Sequence, residues 1–471
     1  MSLLSTEFII VALYLLVMVG IGVFYSSRAS DRTGFLVADR SIGAILGGGA
    51  IAVTYTTASS VLALTGFAVL VGISYAILAS IGTVLAFLIA MFWLGPRLRE
   101  VDAETLPEYF DIRFGDASKK MSALIIGIIY TVYLVAQLTG GAFIATFLLD
   151  VSHGQAVILI AAAMIVYTFL GGMYSITVTS FIQYCMVMVS IIIVAALSLS
   201  EVGGSVAAWG SFVSTVNSGS EIYWTNAGGG LLFGMSFGLI IFLETTARPD
   251  VLFRYFALRD VVTARKTAAV GMLAAGIFYF VMAIPAAGFI GMELEMVDDN
   301  PDTAFLVLTE TIVGSEILVG LIFASVLAAA MSSADAMLVN ASSAWVHDIG
   351  GDYLPEEHQT DRRMTLYLRI VTVLIGIVAV AFAFEPPGLI LEIVIVAFAL
   401  FAGAFVTPLM MSIIFDKSSD YAAAGAMLLG MLAAGISHPS TPLLAVPEDP
   451  IAGGVGVVVA IVAFLVISTL D

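Results

Sequence analysis

Thirteen long apolar stretches run along this chain, and the lysines and arginines group in or at the edges of alternate connections between them. The stretches lie at about 6–25, 43–69, 74–95, 121–148, 154–172, 176–199, 229–247, 268–291, 316–344, 366–384, 389–414, 421–437 and 451–470. A helix needs about 20 apolar residues to cross a bilayer. With 61% hydrophobic and 11% charged residues over 471 positions, the chain cannot be an ordinary water-soluble globule. The pattern predicts an all-α polytopic membrane protein with 13 transmembrane helices in the lipid bilayer.

The positive charges set the expected orientation. All 17 lysines and arginines group as Arg28, Arg32 and Arg40; Arg97, Arg99, Arg113, Lys119 and Lys120; Arg248, Arg254, Arg259, Arg265 and Lys266; Arg362, Arg363 and Arg369; and Lys417. The intervening connections contain none. By the positive-inside rule the five basic loops are cytoplasmic, with the N-terminus outside and the C-terminus inside. The first stretch has no basic region ahead of it and no small-residue cleavage site, so it reads as a permanent helix. Localisation to the cell membrane follows. The single cysteine, Cys185, excludes an intramolecular disulfide. The formal charge of −18 reads as a solvated acidic surface, and no nucleic-acid partner is expected. The oligomeric state is left open.

Residues 42–70 carry the first chemical signal. This segment is apolar enough for lipid, yet holds Thr54, Tyr55, Thr56, Thr57, Ser59 and Ser60 at its centre, with three glycines ahead and Gly66 behind. Lipid offers those hydroxyls no partner, so the helix is expected to loosen there and present oxygens to a sodium ion beside a small solute. A second glycine-rich helix starts at 228–230, and Gly234 and Gly238 flank Ser236. Five stretches run from the first such helix and five from the second. An odd-numbered block repeated along a membrane chain returns inverted, which points to an inverted-repeat transporter core.

Further polar groups lie within the apolar stretches. Tyr130, Tyr133 and Gln137 share one helical face. Three acids fall in spans: Glu244 and Glu392 near helix ends, from which they could reach the interface, and Asp335 deeper in its helix, a candidate for the cation pathway. Ala329, Ser332 and Ser333 share a face in the segment 324–343, where paired hydroxyls suit a hard cation; the alternative is that each serine bonds its own preceding turn. No lysine or arginine is expected within the spans to meet a substrate anion. The four histidines, His153, His347, His358 and His438, lie in connections or at helix ends, so no metal pair or Ser-His couple is expected and the chain does not read as an enzyme.

Several ordered segments resemble the sodium/solute symporter family. They are FLVADRSIG at 35–43, TLPEYFDIRFG at 105–115, GGMYSITVTSFIQ at 171–183, EPPG at 385–388 and FALFAGAFVTPLMMSIIF at 398–415, with Gly403, Phe405 and Pro408 in the last. The TTASS run at 56–60 is similar to that of pantothenate symporters, and most of the rest to proline and monocarboxylate carriers. The resemblance implies a LeuT-type core. Residues 1–41 then form an extra helix and loop, 42–200 the first five-helix repeat, 201–228 an extracellular connection, 229–416 the second, inverted repeat, and 417–471 two C-terminal helices. It implies sodium ligands at the backbone carbonyls of Ala58, Val61 and Ala329 and the side chains of Ser332 and Ser333. Solute-facing candidates are Thr57, Ser60, Gln137 and Ser236. Two positions depart from the family pattern: Ser180 stands where an Asp is usual, and Phe415 where a Trp is usual. The expected function is sodium-coupled uptake of a small organic solute such as pantothenate, proline or a short monocarboxylate. A proton-coupled or uncoupled carrier, a channel and a membrane sensor are the alternatives.

Overall fold

The structure, a computed structural model, describes residues 6–25, 37–71, 74–101, 103–149, 151–170, 173–201, 203, 230–415, 419–437 and 451–471. Its helices are α1 (Thr6–Tyr25), α2 (Ala44–Val53), α3 (Ala58–Val71), α4 (Ser74–Ile89, running on through a π-helical turn to Glu100), α5 (Leu106–Arg113) and α6 (Asp116–Leu149). There follow α7 (His153–Leu170), α8 (Met173–Glu201), α9 (Gly230–Ala247), α10 (Pro249–Phe256), α11 (Val261–Gly291) and α12 (Ala304–Ile312). The last are α13 (Glu316–Ser343), α14 (Asp361–Ala383), α15 (Ile390–Ile414), α16 (Asp420–Ser437) and α17 (Ile451–Leu470). Every one of the thirteen apolar stretches carries helix. Among the described residues nine helices are long and apolar enough to cross a membrane, and ten when the bent pair α2 and α3 counts as one span. The expected connection 201–228 and the Gly171-Gly172 pair lie almost wholly outside the described residues.

The core is built around α13 and α15, each of whose most apolar 18-residue window is 83% buried. A helix hydrophobic on all sides has to be surrounded by protein or lipid. Here α13 is wrapped by α1, α3, α6, α8, α10 and α14, and α15 by α3, α6, α9, α16 and α17. Small residues let the outer helices approach. Gly403 of α15 and Gly430 of α16 meet backbone to backbone, and Gly456 of α17 closes on the same point. In lipid, where no hydrophobic force draws helices together, this close contact supplies the association energy.

The glycines of the first organising segment do a different job from the one expected. Gly47, Gly48 and Gly49 lie inside α2, where a side chain would strike Leu258, Val270 and Phe181. The loosening comes after them, at Thr54–Thr57, where the chain bends by 51° between α2 and α3. Likewise α9 continues unbroken past Gly234, Ser236 and Gly238, and the interruption falls at Arg248–Pro249. Proline drives its predecessor out of the helical region, and Arg248 is extended at φ −73, ψ 117. The segment 105–115 packs inward: α5 buries Leu106, Pro107, Tyr109 and Phe110 in the protein, with Phe110 stacked on Phe405.

Between α11 and α13 a connecting segment ties two core helices together. The carbonyl of Pro301 presses on Gly66 of α3, and Asp302 Oδ2 accepts the Ile390 N–H at 3.0 Å, capping the start of α15. Burial raises the Asp302 carboxyl to about 6 from 3.8, against the opposing pull of the Ile390 N–H and with help from Glu392. Because the folded value is the higher, the stabilisation from its protonated form is complete below 3.8 and is lost as pH rises through about 6. Melting of the detergent-solubilised protein should therefore show a downward step in Tm across that window. Asp302→Asn should flatten the step, whereas an identical pH profile would mean that Asp302 does not titrate there.

Candidate functional site

The break between α2 and α3 and the break between α9 and α10 face each other in the interior. Arg248, only 1% exposed, bridges them. Its Nη2 donates to the Thr54 carbonyl, freed by the first break, at 2.7 Å, and its Nε and Nη2 form a fork on Asp250 at 2.8 and 3.0 Å. The Glu244 carboxylate lies 3.6 Å from Nη1. Three rings enclose the guanidinium, those of Tyr55, Tyr133 and Phe398, at 5.2, 5.4 and 5.8 Å. Tyr130 completes the cluster, donating its hydroxyl to Asp250 at 2.9 Å and accepting the Asp250 N–H at 2.6 Å.

This arrangement corrects two expectations. Positive charge is present inside the bundle, as Arg248 and Arg254 are both buried there. Glu244 does not reach the interface; it is fully buried beside Arg248. Glu392 does stay at the end of its helix, in the first turn of α15, where it caps the Leu389 N–H at 3.0 Å. The signal for Arg248 lay in the proline that follows it, which breaks the helix and turns the guanidinium toward the other break.

Thr57, Ser60 and Gln137 come together through Ser59, a residue not singled out as a ligand. Thr57 Oγ1 lies 2.6 Å from Ser59 Oγ and 2.9 Å from Ser60 Oγ, and caps the Ser60 N–H at 2.9 Å. Gln137 Nε2 donates to Ser59 Oγ at 2.9 Å, while its Oε1 is buried with no partner among the described residues. Tyr133, one turn before Gln137 on α6, links this group to the Arg248 cage. Ser236 lies on a different helix. It is buried on α9, twelve residues before Arg248 or about 18 Å along the axis.

The five sodium candidates lie on the packed pair α3 and α13. Ala58, Val61, Ala329, Ser332 and Ser333 are each fully buried. Ser332 Oγ donates to the Ala329 carbonyl at 3.3 Å, and the Val61 carbonyl accepts Thr65 Oγ1 at 2.9 Å. Ser333 Oγ has no hydrogen-bond partner among the described residues, although a buried hydroxyl normally finds one. Asp335 follows on α13 and is fully buried.

A model of the sodium:solute symporter family matches residues 35–432. The chain belongs to that family. It is accordingly a multi-pass protein of the plasma membrane, and sodium is its co-transported ion. The symporter is 24% identical over 441 residues to the osmoregulated proline transporter of Bacillus subtilis, covering 91% of this chain and 88% of the relative. It is 27% identical over 443 residues to the sodium/proline symporter of Staphylococcus aureus, covering 88% and 82%. Among solved structures it shares the fold of a Na+-coupled sialic acid symporter in a substrate-bound outward-open state, with a TM-score of 0.82 at 17% identity over 99% of this chain and 98% of that one. A nucleobase-cation-symport-1 family transporter in a closed conformation follows at a TM-score of 0.63 and 13% identity over 93% of each.

Proposed function

We propose that this symporter imports a small organic solute with sodium by alternating access. In this reading thirteen helices cross the membrane with the N-terminus outside and the C-terminus inside, and residues 42–200 and 229–416 form two inverted blocks of five. Sodium sits between α3 and α13, held by the carbonyls of Ala58, Val61 and Ala329 and the hydroxyls of Ser332 and Ser333. The observation that carries the reading is the unpartnered, fully buried Ser333 hydroxyl beside a broken helix. A hard cation is matched by oxygen donors of this kind.

The solute lies at the paired breaks, against Thr57, Ser59, Ser60, Gln137 and the ring-lined Arg248. The unpartnered Gln137 Oε1 is an acceptor awaiting a donor, which suits an amino or amide group. Because Asp250 and Glu244 already take up the Arg248 charge, a solute carboxylate is met by the Thr57, Ser59 and Ser60 hydroxyls and the nearby sodium. A small amino acid offers both, and the relatives named for proline transport support it; pantothenate and short monocarboxylates are the other members of the class. Sodium binding stabilises the conformation in which the solute site is complete, and linkage requires solute to tighten sodium in return. Proteoliposomes with an inward sodium gradient should accumulate at least one of labelled L-proline, pantothenate and acetate, and replacing sodium by potassium should abolish the uptake. Equal uptake in the two salts would overturn the coupling.

A further inference from the structure

Beyond Ser343, α13 runs on as a π-helical stretch, Ala344–Gly350, and a last short turn, Gly351–Tyr353. A π-helical stretch is rare and is found most often at functional positions. Where this extension meets α5 and the start of α6, the protein holds a polar cavity of about 270 Å³. Its wall carries four acids, Glu108 and Asp111 of α5 and Asp348 and Asp352 of the extension, against Lys119 and the imidazole of His347. Asp348 lies fifteen residues past Ser333, or roughly 20 Å along the axis, so the cavity is separate from the sodium candidates.

Asp348 sets the chemistry of the cavity. It is fully buried. Its Oδ1 accepts the Thr105 hydroxyl at 2.8 Å and lies 2.9 Å from His347 Nδ1, whereas Oδ2 is buried with no hydrogen-bond partner among the described residues. A buried carboxylate oxygen left in that state is costly until a donor reaches it. Lys119 is already engaged, 3.1 Å from Asp352, which Lys120 also approaches at 3.6 Å. Asp111 is crowded by charge of its own sign. Burial, and the charges of Asp116, Asp352 and Asp420 against the pull of Lys119, push its carboxyl up.

The wall therefore favours a positive ligand, and the spacing of its acceptors decides the kind. Among the described residues no three His, Cys, Asp or Glu side chains converge closely enough to hold a metal ion. Acceptors spread over two separate elements suit a ligand whose N–H donors are held apart by a carbon chain.

We propose that this cavity binds an aliphatic diamine or polyamine, with one ammonium against Asp348 Oδ2 and the next toward the acids of α5, clamping α5 to the end of α13. The ligand adds to a link that the Thr105 hydroxyl already makes to Asp348. Under the orientation proposed above the site faces the cytoplasm. Binding itself depends on neither that orientation, nor sodium, nor the solute.

Calorimetric titration of spermidine into the purified full chain, in a potassium buffer of physiological ionic strength, tests it. Wild type should bind about one spermidine saturably. Asp348→Asn should weaken binding at least about tenfold, the worth of one hydrogen bond to a charged group. The substitution is mild, because asparagine keeps an oxygen for Thr105 and His347 and alters the atom that has no partner. Asp111→Asn, on the half-buried side of α5, should weaken binding about threefold and decides the question if Asp348→Asn does not fold. The absence of saturable binding to wild type would overturn the proposal, as would unchanged affinity in either monodisperse variant. So would Mg2+ binding as tightly as spermidine with the same dependence on Asp348, which would make the site one for an inorganic ion.

Discussion

Replacing Ser332 and Ser333 together by alanine is expected to erase the sodium-dependent rise in melting temperature of the purified symporter. A ligand that binds only the folded state stabilises it by about 2.7 kcal/mol at a hundred times its Kd. That increment should appear for wild type in NaCl over KCl and vanish in the variant. The design separates ligand loss from structural damage. Alanine is the best helix former, Ser333 Oγ makes no hydrogen bond among the described residues, and Ser332 Oγ makes one of 3.3 Å to its own helix. Melting in KCl should therefore stay close to wild type. Sodium-driven uptake should fall with the loss of the shift, since the same ion completes the solute site. A NaCl shift of unchanged size would place sodium elsewhere and remove the proposed seat of coupling.

The largest loss of stability is expected from Arg248→Gln. Removing one partner from a buried ion pair costs about 3–5 kcal/mol, because the other charge is left uncompensated. Here two carboxylates, Asp250 and Glu244, would be stranded, and the Thr54 carbonyl would lose its donor. The three surrounding rings would lose their cation as well. Arg248→Lys should recover only part of the loss. An ammonium restores the charge but cannot reproduce the planar fork that reaches Asp250 and the Thr54 carbonyl together. Adding Asp250→Asn to Arg248→Gln should also recover part, and the double-mutant cycle measures the coupling between them. A melting temperature for Arg248→Gln within a few degrees of wild type would show that the cage is not a structural keystone.

Much of the helical layout was legible because apolar length is a property summed along the chain. Each apolar stretch announced a helix, with bounds off by up to seven residues where a polar first turn such as Val261–Thr267 precedes the apolar run, and the hydroxyl run at 54–60 announced a break. The glycines were misread because the same residue serves two ends. It can loosen a helix, but Gly47–Gly49 admit neighbouring helices instead, and the neighbours were not visible. The interruption expected around Ser236 was misplaced for the same reason, since the glycines there implied a break that Pro249 in fact causes further along the chain.

The burial of Arg248, Arg254 and Glu244 was not legible at all. A positive charge beside an apolar stretch reads as a loop residue because isolated charge is expelled from lipid, and only a partner reverses that preference. The partners lie far away in sequence: Thr54 is 194 positions from Arg248, and Tyr130 is 120 from Asp250. The amino-acid sequence by itself determined where helices form, which of them carry oxygen donors, and that the chain lives in lipid, because these follow from local composition and the energy of exposing backbone to hydrocarbon. Tertiary structure alone decided which charges enter the core and which hydroxyl is left without a partner, because those outcomes depend on what distant helices bring to the same few ångströms.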